Sequence, residues 1–204
     1  GCSVLELAAG YGTRGVLESP HREAYIETDL HNLLIRKEET TRKLRGGRLI
    51  ANHHFQPVNV TNEDDMKRIG EFVVGLNLSK PILVIHEGLL MYFNAQEQAS
   101  VRDSIRRLMA NHKPGAVWLT SDFSERDIDQ TLMQQLMSRR LRGRVGRRFN
   151  YFTDNDTVAR FLRAGNLNCD WLPNIAGRES ARTRAYAEYF RVHRITLQSI
   201  RSTL

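Results

Sequence analysis

Cysteines and long apolar runs are scarce in this sequence, and both shortages exclude classes of protein. The 204 residues include two cysteines, Cys2 and Cys169, too few and too far apart for a disulfide framework or a zinc knuckle. No apolar stretch approaches the roughly 20 residues that cross a bilayer as a helix, and no signal peptide is visible. The histidines, including His53, His54 and His86, lack a cysteine or carboxylate at metal-ligand spacing. We therefore expect a cytoplasmic protein without a metal or a membrane segment.

The signatures of several enzyme classes are also missing. The sequence contains no G-x-x-x-x-G-K-[ST] phosphate loop, no nucleophile elbow and no Ser-His-Asp order. Its hydrophobic content of 41% and charged content of 26% are ordinary for a globular domain. Its length suits a single domain over residues 1–204.

Positive charge is in excess and is concentrated in one run. The formal net charge is +7, and six arginines lie within residues 139–148. Such a run can neutralise nucleic-acid phosphates, but this one contains two glycines and no aromatic residue on which a base could stack. We expect a mobile loop near a substrate entrance that attracts an anionic substrate. A nucleic-acid-binding module is the alternative.

Short apolar runs alternate with helical patterns, which is typical of a parallel sheet with helices on both faces. The predicted strands are residues 4–7, 24–28, 56–60, 82–86, 117–121, 167–172 and 189–197. The last run mixes polar and apolar residues, which favours an antiparallel strand near the sheet edge. The predicted helices contain residues 66–73, 94–113 with a capping box of Asn94 and Glu97, 128–137 and 158–165.

The first strand leads directly into a glycine-rich turn of the kind on which nucleotide-type cofactors sit. Gly10 and Gly12 permit a tight turn and a close approach of backbone to ligand. The next residues open a helix whose free N–H groups attract negative charge. The spacing of Gly10, Gly12 and Gly15, with an acidic residue about 20 positions later, also fits a dinucleotide fingerprint. The turn alone leaves the kind of cofactor open.

Four motifs follow one another: VLELAAGYGTR at 4–14, YIETDL at 25–30 with Arg36-Lys37, PVNVT at 57–61 and IHEGLLMY at 85–92. On these motifs the chain, from Ser3 to about Phe123, resembles the leucine carboxyl methyltransferase family. That family contains class I S-adenosylmethionine-dependent O-methyltransferases, including polyketide O-methyltransferases. An NAD(P)-dependent oxidoreductase is the alternative, and it gives no account of Glu-Gly-Leu-Leu-Met-Tyr.

The resemblance implies a fold, a cofactor and a reaction. The fold is α/β, a Rossmann-like class I methyltransferase sheet of seven strands in the order 3-2-1-4-5-7-6, with strand 7 antiparallel and helices on both faces. The cofactor is S-adenosylmethionine, whose methyl group would move to a carboxylate or hydroxyl of a small-molecule, polyketide-like acceptor. Family members carry a segment ahead of the glycine motif that helps cover the substrate, and we expect this N-terminal lid to be absent here. The acceptor and the oligomeric state stay open.

The resemblance also assigns residues to the methionine part of the cofactor. Arg14 would hold the carboxylate through paired charge-assisted bonds, with a surface salt bridge as the alternative. Glu6, an acid in an apolar strand, would orient the glycine loop and face the ammonium. Glu87 would face the crevice that holds the ammonium and the methyl group. Tyr11 and Tyr92 would flank the sulfonium, because aromatic faces attract cations.

Other residues are assigned to the nucleoside. Glu27 and Asp29 alternate along the second strand and share a face, where the family pattern gives the ribose hydroxyls to Asp29 with Glu27 as its neighbour. Capping of the next helix is the alternative role for Asp29. On that helix, Lys37 matches a lysine of the family. Asn59, where the family often has Asp, would accept the adenine amino hydrogens, and Val60 would pack against the ring.

The catalytic residue is left unassigned. His86 and Tyr92 are the candidates, and a hydrogen-bonded core histidine is the alternative for His86. The three aliphatic residues Leu89, Leu90 and Met91 are expected to be core. A carboxylate acceptor needs no base at neutral pH, whereas a phenol or alcohol usually does.

Overall fold

Strands and helices alternate along the part of the chain that the computed structural model describes, residues 2–112, 115–123, 150, 152, 154–171 and 193–198. The strands are β1 (Ser3–Glu6), β2 (Tyr25–Asp29), β3 (His53–Pro57), β4 (Ile82–His86), β5 (Ala116–Thr120), β6 (Leu167–Trp171) and β7 (His193–Leu197). The helices are α1 (Arg14–Glu18), α2 (His31–Leu44), α3 (Glu63–Gly75), α4 (Ala95–Asn111) and α5 (Asn155–Arg163). Single 3₁₀ turns cover Ser19–His21 and Leu90–Tyr92.

The described residues form one seven-stranded sheet in the order β3-β2-β1-β4-β5-β7-β6. Strands β1 to β5 pair in parallel, whereas β7 is antiparallel to both β5 and β6. This is the class I methyltransferase order that the resemblance implies, and the antiparallel position of the last strand is confirmed.

The middle of the sheet is buried, as its apolar runs predict. All four residues of β1 are buried, and Leu5, Ile26 and Trp118 are completely so. A strand covered on both faces needs no polar alternation, which is why apolar residues such as Val4 and Leu5 follow one another directly in β1. On α3, the residues Met66, Ile69 and Val73 form the predicted buried face.

The fourth helix begins as its sequence predicts. The Asn94 side chain accepts from the Glu97 backbone N–H, and the Glu97 side chain accepts from the Asn94 backbone N–H. This capping box satisfies two donors that the helix itself leaves unpaired.

Among the described residues, the structure has no helix long and apolar enough to span a membrane.

The prediction for the third strand is wrong by three residues, because β3 is His53–Pro57 and not 56–60. In the observed register His53 pairs with Tyr25, and Pro57 pairs with Asp29, the last residue of β2. Proline lacks the N–H that would extend the ladder, so the strand ends there. Asn59 therefore lies in the loop that follows the strand.

Some predicted elements lie wholly or partly outside the described residues. The helix over 128–137 and the arginine run at 139–148 lie outside the described residues. So do residue 172 of the sixth predicted strand and residues 189–192 of the seventh.

Candidate cofactor site

Several of the predicted site residues lie at the carboxyl edge of the sheet. Strand β1 lies between β2 and β4, and all three run parallel, so the loops that follow them open at one edge. Open α/β sheets bind their ligands in this crevice.

Two residues of the loop after β1 have a left-handed backbone. Ala8 and Gly10 both have a φ of +51°. Glycine adopts this conformation freely, but an alanine there costs roughly 1–2 kcal/mol. Such a conformation persists when neighbouring bonds hold it. Here the Ala9 backbone N–H donates to Thr28 O at 2.9 Å, and the Gly10 N–H donates to the Asp29 carboxylate at 2.8 Å.

Asp29 is fixed at the open end of β2 by two backbone donors. Its Oδ2 accepts from Gly10 N–H, and its Oδ1 accepts from Leu30 N–H at 2.7 Å. Helix α2 has Leu30 at its N-cap without a side-chain cap bond, so Asp29 does not cap that helix. A carboxylate offers about four lone-pair positions, of which these bonds occupy two. Asp29 is half-buried, which leaves it partly open to a ligand.

Arg14, at the start of α1, joins the end of β1 to the loop after β4. Its Nη1 donates to Glu6 Oε1 at 2.7 Å, and its Nη2 donates to Glu87 Oε2 at 3.0 Å. The Glu6 side chain is buried, whereas the side chains of Arg14 and Glu87 are 43% and 61% exposed. The predicted salt-bridge alternative for Arg14 is therefore present, and it holds the guanidinium at the mouth of the crevice.

The buried carboxylate of Glu6 has a second partner that sequence reasoning missed. The Tyr25 hydroxyl donates to Glu6 Oε2 at 2.6 Å. Burial raises the pKa of Glu6 above its ordinary value, although Tyr25 and Arg14 favour its charged form. Burial and the Glu6 carboxylate raise the pKa of Tyr25, so the phenol remains the donor. Nothing in the sequence distinguishes Tyr25 from a core aromatic.

Glu27 points beneath the glycine loop and away from the crevice. It is completely buried, and its two oxygens lie 2.5 Å from Lys37 Nζ and 3.2 Å from His53 Nε2. A Cβ on Gly15 would lie 1.6 Å from Glu27 Oε1, so this glycine makes room for the carboxylate. Gly12 is less constrained, because a Cβ there would lie 3.3 Å from Ala9 O.

The two residues predicted for the adenine follow β3. Asn59 is exposed, and its Oδ1 accepts from Thr61 N–H at 3.2 Å and from Thr61 Oγ1 at 2.8 Å. The Asn59 backbone N–H donates to Asp65 Oδ2 at 2.8 Å. Val60 is buried. The carboxamide oxygen is thus engaged within its own turn.

Asp122, which sequence reasoning missed, organises the turn after β4. Its carboxylate accepts from the backbone N–H groups of Gly88 at 2.6 Å, Leu89 at 2.8 Å and Leu90 at 2.7 Å. Burial alone would raise the pKa of Asp122, but His86 and these N–H bonds hold that pKa well below its usual range. The sequence signal that could have identified Asp122 is its position directly after the predicted strand 117–121, because that position lies at the edge of the crevice.

The two candidate catalytic residues occupy different environments. The His86 side chain has no exposed surface, and its Nδ1 lies 3.3 Å from both Asp122 Oδ2 and Thr120 Oγ1. Its ring packs on Trp118 with centroids 5.5 Å apart. This geometry matches the core-histidine interpretation. Tyr92 is half-buried in its 3₁₀ turn.

The remaining predicted residues, Tyr11 and residues 89–91, differ in exposure. Tyr11, predicted to flank the sulfonium, is exposed on the loop after β1. Leu89 and Leu90 are buried, as expected of core residues, and Met91 is half-buried.

The sequence profile of the leucine carboxyl methyltransferase family matches residues 1–106, just over half of the chain. No curated protein sequence matches the chain.

Several solved structures share the fold over nearly the whole chain. An O-methyltransferase family protein from Burkholderia thailandensis is 16% identical, with 97% of this chain and 51% of that chain covered and a TM-score of 0.60. Human N-acetylserotonin methyltransferase, solved with S-adenosylmethionine, is 10% identical, with 97% and 48% covered and a TM-score of 0.58. An S-adenosylmethionine-dependent methyltransferase from Clostridium acetobutylicum is 11% identical, with 97% and 85% covered and a TM-score of 0.57. The chain spans about half the length of the first two.

Proposed function

Because the chain belongs to the leucine carboxyl methyltransferase family, we propose that it binds S-adenosylmethionine at the carboxyl ends of β1, β2 and β4. It transfers the methyl group to a carboxylate or hydroxyl oxygen of a small-molecule acceptor. The observation that carries this proposal is the carboxylate of Asp29, held at the open end of β2 by the N–H groups of Gly10 and Leu30. Its two remaining acceptor positions suit the two hydroxyls of a ribose.

The groups at the mouth of the crevice suit the methionine part of the cofactor. A guanidinium has five N–H donors, and the bonds from Arg14 to Glu6 and Glu87 use two of them. The remaining donors are available to a carboxylate. The exposed Glu87 is the better partner for the ammonium, because both oxygens of Glu6 are already engaged. Glu6 then acts by orienting Arg14.

The adenine would lie beyond β3, beside Val60. The oxygen of Asn59 is engaged by Thr61, so its amide Nδ2 is the group left to face the base. We therefore expect Asn59 to donate to an adenine ring nitrogen, the reverse of the polarity that the family's Asp would give.

The cofactor supplies an activated methyl group on a sulfonium, and the protein has to align the acceptor and exclude water. Arg14 and Asp29 hold the methionine carboxylate and the ribose, which lie on either side of the sulfonium, and so fix the direction in which the methyl group points. A carboxylate acceptor is already a nucleophile at neutral pH and needs no base. The buried, core-packed position of His86 favours such an acceptor over an alcohol. A polyketide-like acid is the substrate class that the family suggests.

Isothermal titration separates the candidate functions. The chain is titrated with S-adenosylhomocysteine, with NAD and with a short RNA. Saturable binding of S-adenosylhomocysteine alone is the expected result. Binding of NAD alone would replace the proposal with an oxidoreductase. Binding of RNA with a steep salt dependence would replace the small-molecule acceptor in the proposal with a nucleic acid.

A labelling assay then tests the acceptor. The chain is incubated with methyl-labelled S-adenosylmethionine and a panel of aromatic and aliphatic acids beside matched alcohols. We expect label in products that mild base hydrolyses, as it does methyl esters. Base-stable label in the alcohols would assign the methyl group to a hydroxyl instead.

A further inference from the structure

A buried ammonium lies under the loop that the proposed function gives to the cofactor. Lys37, on α2, is one of the most buried residues of that helix, with 4% of its side chain exposed. Lysine is rarely buried without a partner, because its charge loses the stabilisation of water. Here Nζ lies 2.5 Å from Glu27 Oε2 and donates to the backbone oxygen of Ala9 at 3.0 Å. The ammonium thus connects a counter-ion and the loop.

The bond from Lys37 to the Ala9 carbonyl affects the conformation of the glycine loop. That carbonyl lies between Ala8 and Gly10, which both have a left-handed backbone. Rotation of the peptide that follows Ala9 would move its carbonyl away from Lys37 and would also redirect the Gly10 N–H away from Asp29. The bonds from Lys37 to Ala9 O and from Gly10 N–H to Asp29 therefore hold the same peptide at its two ends.

The counter-ion is itself held in place. Glu27 is completely buried, and its other oxygen lies 3.2 Å from His53 Nε2. Gly15, at the start of α1, leaves the space that Glu27 fills. Buried ion pairs contribute little net stability compared with apolar side chains of similar size. The presence of the Lys37–Glu27 pair is therefore better explained by the loop that it positions than by the stability that it adds.

We propose that Lys37 is a positioning residue for the cofactor: its ammonium, neutralised by Glu27, holds the Ala9 carbonyl inward and so presents the glycine loop to the ribose and methionine. This inference rests on the proposed function of that loop. It assigns the lysine a role through the backbone, without direct contact with the cofactor.

A charge-compensated pair of substitutions separates positioning from stability. Lys37→Met alone removes the ammonium and leaves Glu27 buried without its cation, so both the melting temperature and the affinity for S-adenosylhomocysteine should fall. The double variant Lys37→Met/Glu27→Gln removes both charges. Its melting temperature should return close to the wild-type value, while its affinity stays lower by roughly 5- to 20-fold. Lys43→Met, on an exposed position of α2, is the matched control and should change neither quantity.

Amide hydrogen exchange supplies a second readout that a purely structural pair would not change. The Gly10 N–H should exchange faster in the double variant than in the wild type without ligand, because Ala9 O loses the bond from Lys37 and keeps only the longer bond of 3.2 Å from Gly12 N–H. A double variant that binds as tightly as the wild type would overturn the inference. So would a double variant that fails to fold, since the pair would then hold the domain and not the loop. If the wild type itself did not bind S-adenosylhomocysteine, the proposed function would fail first, and this inference with it.

Discussion

Replacing Asp29 by asparagine tests the central contact of the proposed site with the smallest change in shape. The carboxylate accepts from Gly10 N–H and Leu30 N–H, one on each oxygen. Asparagine keeps one acceptor oxygen and turns the other into an N–H₂ donor. One of the two backbone donors would then face another donor, whichever way the amide is turned. The variant loses an anchor of the glycine loop as well as acceptor positions for the ribose.

The expected loss follows from the bonds that disappear. Hydrogen bonds to a charged group contribute about 1.5–3 kcal/mol each, and one such bond to a ribose hydroxyl is lost outright. The affinity for S-adenosylhomocysteine should therefore fall by roughly 10- to 150-fold, with 1.4 kcal/mol corresponding to tenfold. Asp29→Ala removes both remaining acceptors and should lose at least as much.

Isothermal titration measures this loss, and denaturation with urea checks that the variants are folded at the titration temperature. Asp64→Asn is a matched control, because Asp64 is exposed in the first turn of α3, on the next helix along the chain. The control should bind as the wild type does. Unchanged affinity in folded Asp29→Asn and Asp29→Ala would show that another group holds the ribose, and the proposed site would have to be moved.

Three further substitutions test the neighbouring parts of the structure. Asp122→Asn should lower the free energy of unfolding at pH 7 by about 1–3 kcal/mol, because it disrupts the bonds from the turn after β4. The pKa of Asp122 is lowered in the folded protein, so its stabilisation is present at neutral pH and fades as the pH falls below about 4. Urea titrations at several pH values should therefore show the difference in free energy of unfolding between variant and wild type becoming smaller on acidification. A difference that becomes larger would contradict the assignment. Gly15→Ala should cost about 1–3 kcal/mol or more, since its Cβ meets Glu27. Gly70→Ala, in a helix with open space around the new Cβ, should instead stabilise by about 0.5–1 kcal/mol. Equal urea midpoints for these two glycine variants would refute the packing argument.

Several features of the fold were predictable from local patterns. Strand β4 lies at the residues predicted, and the helix that begins after Asn94 has the predicted capping box. Alternation of strands with helices determined the class of the sheet, because each element reveals its own buried face through its spacing. The third strand was not predictable in the same way. Its two histidines look polar in sequence, and only pairing with β2 shows that His53 is buried against Glu27.

The sequence by itself determined the α/β class, the glycine turn after the first strand and the presence of acids at or next to the carboxyl ends of the first, second and fourth strands. Those properties depend on residues close together in the chain. Only the tertiary structure decided what each acid does. Glu27 and Asp29 share one face of β2, yet the first is covered by α1 over Gly15 and pairs with Lys37, whereas the second reaches the open edge. Burial and partnership depend on elements distant in sequence, so spacing along a single strand cannot distinguish a carboxylate at the open edge from the counter-ion beneath it.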